Sequence, residues 1–301
     1  MKVFLTGGTG FVGSEVLRQL VAAGHAVRCL VRPGSEEKLA VTEGVEIHHG
    51  DVTMANTLQG ALEGCDAVIH LVGIIRDFPT RGITFQRFHV EATRNMVSAA
   101  TSQGVKRFIH MSANGSRGET SSPYHRTKWE AEEQVRGSSL DWTIFRPSLI
   151  FGAGGEFVTM LAGLVRKLPV VPVLGDGKYR MSPVAVQEVA ASFVKALDDA
   201  GSVSQIYYCC GPESYSYDEL LDVIGQAMGK KRVCKMHQPL LLVKPVIAMF
   251  ETIPQFPITT TQLTMLLEGN VCDPQPWADH FGLQPTSFRD GVKAALPVDE
   301  K

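Results

Sequence analysis

Short apolar runs alternate with longer amphipathic stretches through the first half of the chain. Residues 2–6, 26–31, 45–48, 67–72, 107–112 and 142–146 are rich in Val, Ile, Leu and Phe, as expected of strands buried on both faces of a parallel sheet. Between them, 11–23, 54–62, 84–103 and 123–135 read as helices. Gly24, Gly104 and Gly137 follow three of these, where glycine commonly ends a helix. Strand and helix in alternation predict an α/β doubly wound parallel sheet with right-handed crossovers.

Beyond residue 150 the pattern loses this regularity. Residues 151–180 hold Gly152, Gly154, Gly155, Pro169, Pro172, Gly175 and Gly177, after which a helix over 186–198 and an apolar strand over 205–210 resume the earlier style. The reading therefore assigns 1–150 and 181–210 to the sheet domain. It assigns 151–180 and 211–301 to a smaller, mostly helical lobe for a substrate or partner. Within that lobe, residues 240–250 place Leu241, Leu242, Val246, Ile247 and Phe250 on a short apolar helix. A stripe of this kind is more often core than a contact surface for a protein partner or a membrane.

Composition narrows the class of molecule. The 301 residues are 44% hydrophobic and 20% charged, with 29 basic and 31 acidic side chains and a net charge of −2. The charges are interspersed, so no field or tail favours nucleic acid, and no nucleic-acid partner is expected. The N-terminus has no signal-peptide core, and the most apolar stretch, 239–253, is interrupted by Lys244, Pro245 and Glu251. A cytoplasmic location is the expectation. Six cysteines lack Cys-x-x-Cys spacing and are expected to be small buried thiols. His48–His49 has no companions at ligand spacing, so no metal site is assigned.

Several segments carry candidate chemistry. The first strand feeds Thr6-Gly7-Gly8-Thr9-Gly10-Phe11-Val12-Gly13 and then a helix. This is the dinucleotide loop of a Rossmann-type domain: glycines allow the turn, the close approach of the pyrophosphate and tight helix packing. The new helix end offers free N–H groups and a positive dipole. The second strand ends at Arg32-Pro33, with no acidic residue before Glu36. An arginine there suits a ribose 2′-phosphate, so NADP(H) is preferred over NAD(H). Asp51 and Val52 follow the third strand, and Leu71, Val72 and Gly73 end the fourth, where the adenosine and ribose would lie along the sheet's carboxyl edge. Finally, Tyr124 and Lys128 stand four residues apart on a predicted helix and share a face. An ammonium beside a phenol favours the phenolate, which would equip Tyr124 to exchange a proton with a carbonyl or alcohol oxygen.

Taken in order, Thr6–Gly13, Gly50-Asp51, His70–Gly73, Tyr124–Lys128, Arg146-Pro147 and 183–190 resemble the short-chain dehydrogenase/reductase superfamily, in its extended and atypical NAD(P)-dependent epimerase/dehydratase-like branch. Met111-Ser112-Ala113, Arg146-Pro147-Ser148 and residues 172–177 are similar to proteins related to the NADPH-binding accessory subunit of respiratory complex I. The resemblance implies that Tyr124 is the acid/base and that Lys128 holds the nicotinamide ribose. It implies also that Pro147, Ser148 and Ile150 lie against the nicotinamide. Two positions depart from it. Ala113 stands where relatives carry a substrate-binding serine, with Ser112 one residue earlier as the candidate replacement. His89 stands where a proton-relay asparagine is usual. Asn114, Gly115, Ser116 and Gly118, with Phe78, Arg81 and Phe85, are candidate walls of a substrate site.

Three functions remain open on this basis. The leading one is an NADP(H)-dependent oxidoreductase acting on a small carbonyl or alcohol through Tyr124 and Lys128. The others are a non-catalytic, NADP(H)-loaded structural or assembly protein, and a nucleotide-sugar epimerase or dehydratase using Arg166, Lys167, Lys178 and Arg180 for a diphosphate.

Overall fold

The computed structural model describes residues 1–253 and 256–296. Its centre is built from β1 (Lys2–Thr6), α1 (Phe11–Ala22), β2 (Ala26–Val31), β3 (Val45–His49) and β4 (Ala67–His70). Then come α2 (Ala92–Ser102), β5 (Arg107–Met111), α3 (Pro123–Arg136) and β6 (Asp141–Pro147). The chain continues through β7 (Ile150–Phe151), α4 (Glu156–Lys167), β8 (Val171–Leu174), β9 (Arg180–Met181), β10 (Val184–Ala185), α5 (Val186–Lys195) and β11 (Gln205–Cys209). It ends in β12 (Tyr215–Ser216), α6 (Tyr217–Ala227), β13 (Lys235–Gln238), α7 (Leu240–Phe250), α8 (Thr260–Glu268), α9 (Gln275–Phe281) and α10 (Phe288–Ala295).

Among the described residues the main sheet has seven parallel strands in the order β11-β6-β5-β4-β1-β2-β3. The fold is thus the doubly wound, Rossmann-like sheet that the alternation predicts. The chain reverses its direction of winding between β1 and β4, and a ligand crevice opens at the carboxyl ends of such a pair. Phe4, Leu5, Val68, Ile69, Phe108 and Ile109 are fully buried, which accounts for the unbroken apolar runs. A second core, formed by residues such as Phe151, Leu161, Val173, Leu221, Ile224 and Phe288, binds α4, α6 and α10 together.

Local structure departs from expectation where side chains compete for the backbone. The helix expected over 54–62 is only a 3₁₀ turn, Ala55–Leu58. Thr57 Oγ1 donates back toward the Asp51 and Met54 carbonyls, Gly60 adopts φ +68°, and the Gln103 amide takes both the Leu62 N–H and the Leu58 carbonyl. The helix ending at Ser102 begins with a wider π segment, Gln86–Glu91. Cys210 and Cys272 form a disulfide with their Cα atoms 6.0 Å apart, which corrects the expectation of six thiols. Cys234 is also exposed rather than buried.

Two C-terminal elements sit differently from their sequence reading. Trp277, Ala278 and Phe281 of α9, within the stretch 211–301 expected in the smaller lobe, pack into the core of the main sheet beside Phe145 and Tyr207. The last five residues of that stretch, 297–301, lie outside the described residues. The α7 stripe is solvent-exposed rather than core: only Ile247 is buried. Among the described residues, no helix is long and apolar enough to cross a membrane.

Candidate functional site

The glycine loop has the shape its spacing implies. Gly7 adopts φ +79°, and a Cβ there would press within about 3.1–3.2 Å of Leu71 and Val72 at the end of β4. The Gly10 N–H donates to the Gly7 carbonyl at 3.0 Å. A side chain at Gly13 would overlap the Gly7 carbonyl and Gly8, so only glycine lets α1 start so close to the loop. Gly10 caps α1 with no side-chain acceptor, and the first turn holds no acid. The positive helix end is therefore available to an anion. Thr9 lies in the loop between these glycines, Val12 is buried beneath it, and Phe11 reaches across to Gly152 and Gly155.

Other candidates line the same edge. Arg32 is exposed just beyond β2, with no ion-pair partner among the described residues. Asp51 Oδ1 accepts from the Thr53 N–H and hydroxyl, both at 2.8 Å, which fixes the turn after β3. Val52 is buried, and its carbonyl accepts from Asn95. Leu71, Val72 and Gly73 continue β4 toward α3. A Cβ on Gly73 would lie 3.2 Å from Lys128 Nζ and 3.6 Å from the His89 ring. Gly73 thus leaves an opening directly beside the lysine.

Helix α3 begins at Pro123 behind Ser122, whose hydroxyl accepts the His125 N–H. This start puts Tyr124 and Lys128 one turn apart, facing the sheet's carboxyl edge. Lys128 Nζ donates to the Met111 carbonyl at 2.7 Å. Burial lowers the Lys128 pKa from its ordinary 10.5 to about 8, opposed by the nearby Glu132 carboxylate. Burial pushes the Tyr124 phenol up to about 12. In the cofactor-free protein, then, Tyr124 is held protonated, contrary to the phenolate that its spacing from Lys128 suggests. The lysine addresses a strand carbonyl rather than the tyrosine. The Tyr124 ring is fixed edge-on by His89 at 5.3 Å and by the buried Phe85 at 5.8 Å. Phe85 therefore backs the tyrosine instead of forming an outer wall. Among the described residues nothing hydrogen-bonds the Tyr124 hydroxyl.

The α3 helix is anchored below by a buried ion pair. Glu132 is fully buried and receives Arg146 of β6 through Nε at 2.8 Å and Nη2 at 2.5 Å, while Arg146 Nη1 donates to the Tyr208 hydroxyl. Pro147 and Ser148 follow on the same strand end. Their polar groups are engaged locally: the Pro147 carbonyl accepts from Asn114, the Ser148 N–H donates to Cys209, and its hydroxyl donates to the Asn270 carbonyl. Ile150 stands half-buried in β7 beside β10.

Ser112 makes no hydrogen bond with Tyr124 among the described residues. Its hydroxyl pairs with Ser116 at 3.1 Å, and Ser116 in turn donates to the Ala113 carbonyl. The loop of Asn114 and Gly115 instead lines a cleft of about 340 Å³ with Tyr179, Arg180, Glu268 and Asn270. His125 Nδ1 bonds Glu268 at 3.0 Å and its ring lies 3.0 Å from a Cβ built on Gly115, so the cleft adjoins the helix turn that carries Tyr124. Arg180 is tied to Glu219 and to Ser214. Arg81 stacks on Phe78, within the loop after β4.

His89, singled out in the sequence alone, belongs to a buried histidine group behind Lys128 whose other members, His70 and His110, carried no such signal. His70 Nδ1 meets Thr6 Oγ1 at 2.7 Å and its Nε2 meets Thr93 at 3.2 Å. His89 Nδ1 meets Thr127 Oγ1 at 2.9 Å while its Nε2 contacts the Ile74 backbone. His110 stacks on His70, and neither of its ring nitrogens has a protein partner among the described residues. Burial, reinforced by the Lys128 charge, holds all three pKa values below the ordinary histidine value. Neutral rings there spare Lys128 further repulsion. His70 and His110 lie in the apolar strands β4 and β5, and histidine in an apolar strand reads as ordinary core.

The glycine cradle, the open helix end and the space beside Gly73 fit an NAD(P) dinucleotide laid from α1 to Lys128 across the β1–β4 crevice. Comparison with known proteins agrees. The chain is 29% identical over 231 residues to the NAD(P)H azoreductase of Xenophilus azovorans, covering 76% of this chain and 74% of that protein. It is 28% identical over 275 residues to the mitochondrial NADH dehydrogenase [ubiquinone] 1 alpha subcomplex subunit 9 of Arabidopsis thaliana, covering 88% and 67%. The structure of Thermus thermophilus UDP-glucose 4-epimerase in complex with NAD superposes with a TM-score of 0.76 at 22% identity, over 98% of this chain and 97% of that one. Residues 3–210 match the profile of the NAD dependent epimerase/dehydratase family, and the chain belongs to that family.

Proposed function

We propose that this protein is a reductase that uses NADP(H) in preference to NAD(H) and acts on a carbonyl group, with Tyr124 as proton donor. The observation that carries the reading is a protonated, half-buried Tyr124 with an uncommitted hydroxyl, one helical turn from a buried lysine that borders the Gly73 opening. A phenol held at about 12 stays protonated at neutral pH, and it can still give its proton to a carbonyl oxygen because the alkoxide forming there is the stronger base. When bound, the reduced dinucleotide supplies the hydride that the carbonyl carbon accepts. Gly7, Gly10 and the α1 N-terminus receive its pyrophosphate, and Lys128 holds the ribose hydroxyls. The exposed, unpaired Arg32 supports the 2′-phosphate preference. The cleft edged by Asn114 and Arg180 is the substrate's place. The relationship to an NAD(P)H azoreductase also favours reduction.

One observation favours a second reading. Ser112 is committed to Ser116, leaving Tyr124 without the serine partner usual in sugar-modifying relatives, and the chain is also related to a respiratory-complex subunit. On that reading the dinucleotide stabilises the folded protein without turnover.

Fluorescence titration with NADPH and NADH tests the cofactor assignment. NADPH should bind tighter, and Arg32→Ala should weaken NADPH alone, by about tenfold, the worth of one phosphate contact of about 1.4 kcal/mol. Equal affinities unaffected by Arg32→Ala would refute the preference. Turnover is tested with NADPH and a panel of aromatic and long-chain ketones and aldehydes. Tight NADPH binding with wild type and Tyr124→Phe equally inert would establish the non-catalytic reading instead.

A further inference from the structure

Helix α7 exposes an apolar face that no described residue covers. Leu241 is 85% exposed, Met249 72% and Leu242 68%, and Val246, Phe250 and Ile253 are also exposed. At 100° per residue Leu241, Leu242, Val246, Met249 and Phe250 share one half of the helix, while Ile247 and Leu240 turn inward, Leu240 against Gly175. The apolar surface continues onto Met236 of β13 and onto Leu168 and Val170 beside β8, the strand that pairs with β13. Exposed apolar surface of this extent marks an interaction site.

The unpaired charge on the stretch leading into it is positive. Residues 226–250 contain Lys230, Lys231, Arg232, Lys235 and Lys244 and no Asp or Glu, in a chain whose net charge is −2. Lys230 and Lys235 are engaged with the Val165 carbonyl and Asp222. Lys231, Arg232 and Lys244 are exposed, with no ion-pair partner among the described residues. Lys244 lies on the flank between the buried and the exposed faces, where a long side chain can keep its charge at a polar boundary while its stem covers apolar surface.

We propose that α7 is a peripheral membrane anchor that lays its Leu241–Leu242–Val246–Met249 face into an anionic lipid bilayer, with Lys231, Arg232 and Lys244 against the headgroups. An apolar helix face with an unpaired lysine on its flank, in a segment that carries two further unpaired basic residues, is the combination such surfaces bind. A second copy of this chain would bring the same uncompensated positive charges together, which disfavours self-association through this face. The anchor also has a fixed relation to the candidate site. Arg76, in the loop after Gly73, donates to the carbonyls of Glu251, Ile253 and Phe256 just beyond α7. Docking of α7 therefore sets the mouth of the crevice near the lipid surface. The proposal does not depend on catalysis.

The test is co-sedimentation of the full chain with vesicles of phosphatidylcholine alone, or with roughly a third phosphatidylglycerol, at low and high salt. The anionic vesicles should bind it about tenfold or more tightly than the zwitterionic ones, and salt should weaken the binding. Lys231→Glu with Arg232→Glu should weaken it at least about tenfold, because each basic residue near such a surface contributes about fivefold. Leu241→Asp with Met249→Asp should abolish it while leaving NADPH affinity unchanged, since both side chains already stand in water. Equal binding to both vesicle types, or vesicle binding unaffected by the aspartate pair, would overturn the proposal. So would a concentration-dependent dimer that the aspartate pair dissolves.

Discussion

Lys128 is held as an ammonium in a buried site, and replacing it with methionine should expose the cost. Its pKa falls from 10.5 to about 8 in the folded protein; at about 1.4 kcal/mol for each pH unit, this is about 3 kcal/mol of penalty at neutral pH. The sign follows from proton counting. Between the two pKa values the unfolded chain binds more protons than the folded one, so stability rises with pH through this window and is lowest below it. From pH 7 to pH 9.5 the wild-type, cofactor-free protein should gain about 2 kcal/mol from this group alone. Lys128→Met removes that gain. At pH 7 it also relieves the penalty, less about 1–2 kcal/mol for the Met111 carbonyl that loses its donor. The variant should therefore be more stable than wild type at pH 7 by about 1–2 kcal/mol, and bind NADPH poorly. Urea denaturation at several pH values measures this. Parallel stability–pH curves for the two proteins between pH 7 and 9.5 would rule out the buried-lysine penalty, because they would mean that Lys128 keeps its ordinary pKa in the fold.

Further outcomes follow from the same geometry. Gly13→Ala should weaken NADPH binding about a hundredfold, near 2.7 kcal/mol, because its methyl group would displace the Gly7 carbonyl; an affinity within a factor of about three of wild type would contradict the close approach. Glu132→Gln should destabilise the fold by about 3–5 kcal/mol in urea melts by leaving Arg146 buried without its carboxylate, and combining it with Arg146→Met should restore much of the loss. Denatured protein without reductant should titrate four thiols, Cys29, Cys65, Cys209 and Cys234, with two more appearing on reduction of the Cys210–Cys272 bond.

The sheet was readable because each central strand is buried on both faces, so periodicity alone marked it. The glycine loop was readable because strand, spacing and helix agree at one place. What escaped depended on contacts distant in sequence. Gln103 dissolves the helix expected near residue 58 from 45 residues away, and the Cys210–Cys272 bond spans 62 residues. No local pattern encodes either. Helix α7 was apolar on nearly every side, and such a helix reads as core until the structure shows that only Ile247 is covered. Tyr124 and Lys128 were found by spacing, but their protonation depends on how deeply α3 sits over β5, which spacing does not contain. Ser112 was placed by its neighbour in the sequence, and Ser116 captures it through a turn four residues on.

The central claim is that Tyr124 delivers a proton to a carbonyl beside a dinucleotide seated on the glycine loop. Single-turnover oxidation of bound NADPH, followed at its nicotinamide absorbance against the ketone and aldehyde panel, tests it most directly. Oxidation is expected with at least one carbonyl class, slowed by about a hundredfold or more in Tyr124→Phe, within the range for loss of a positioned proton donor, with NADPH affinity unchanged. An equal rate in wild type and Tyr124→Phe would contradict it.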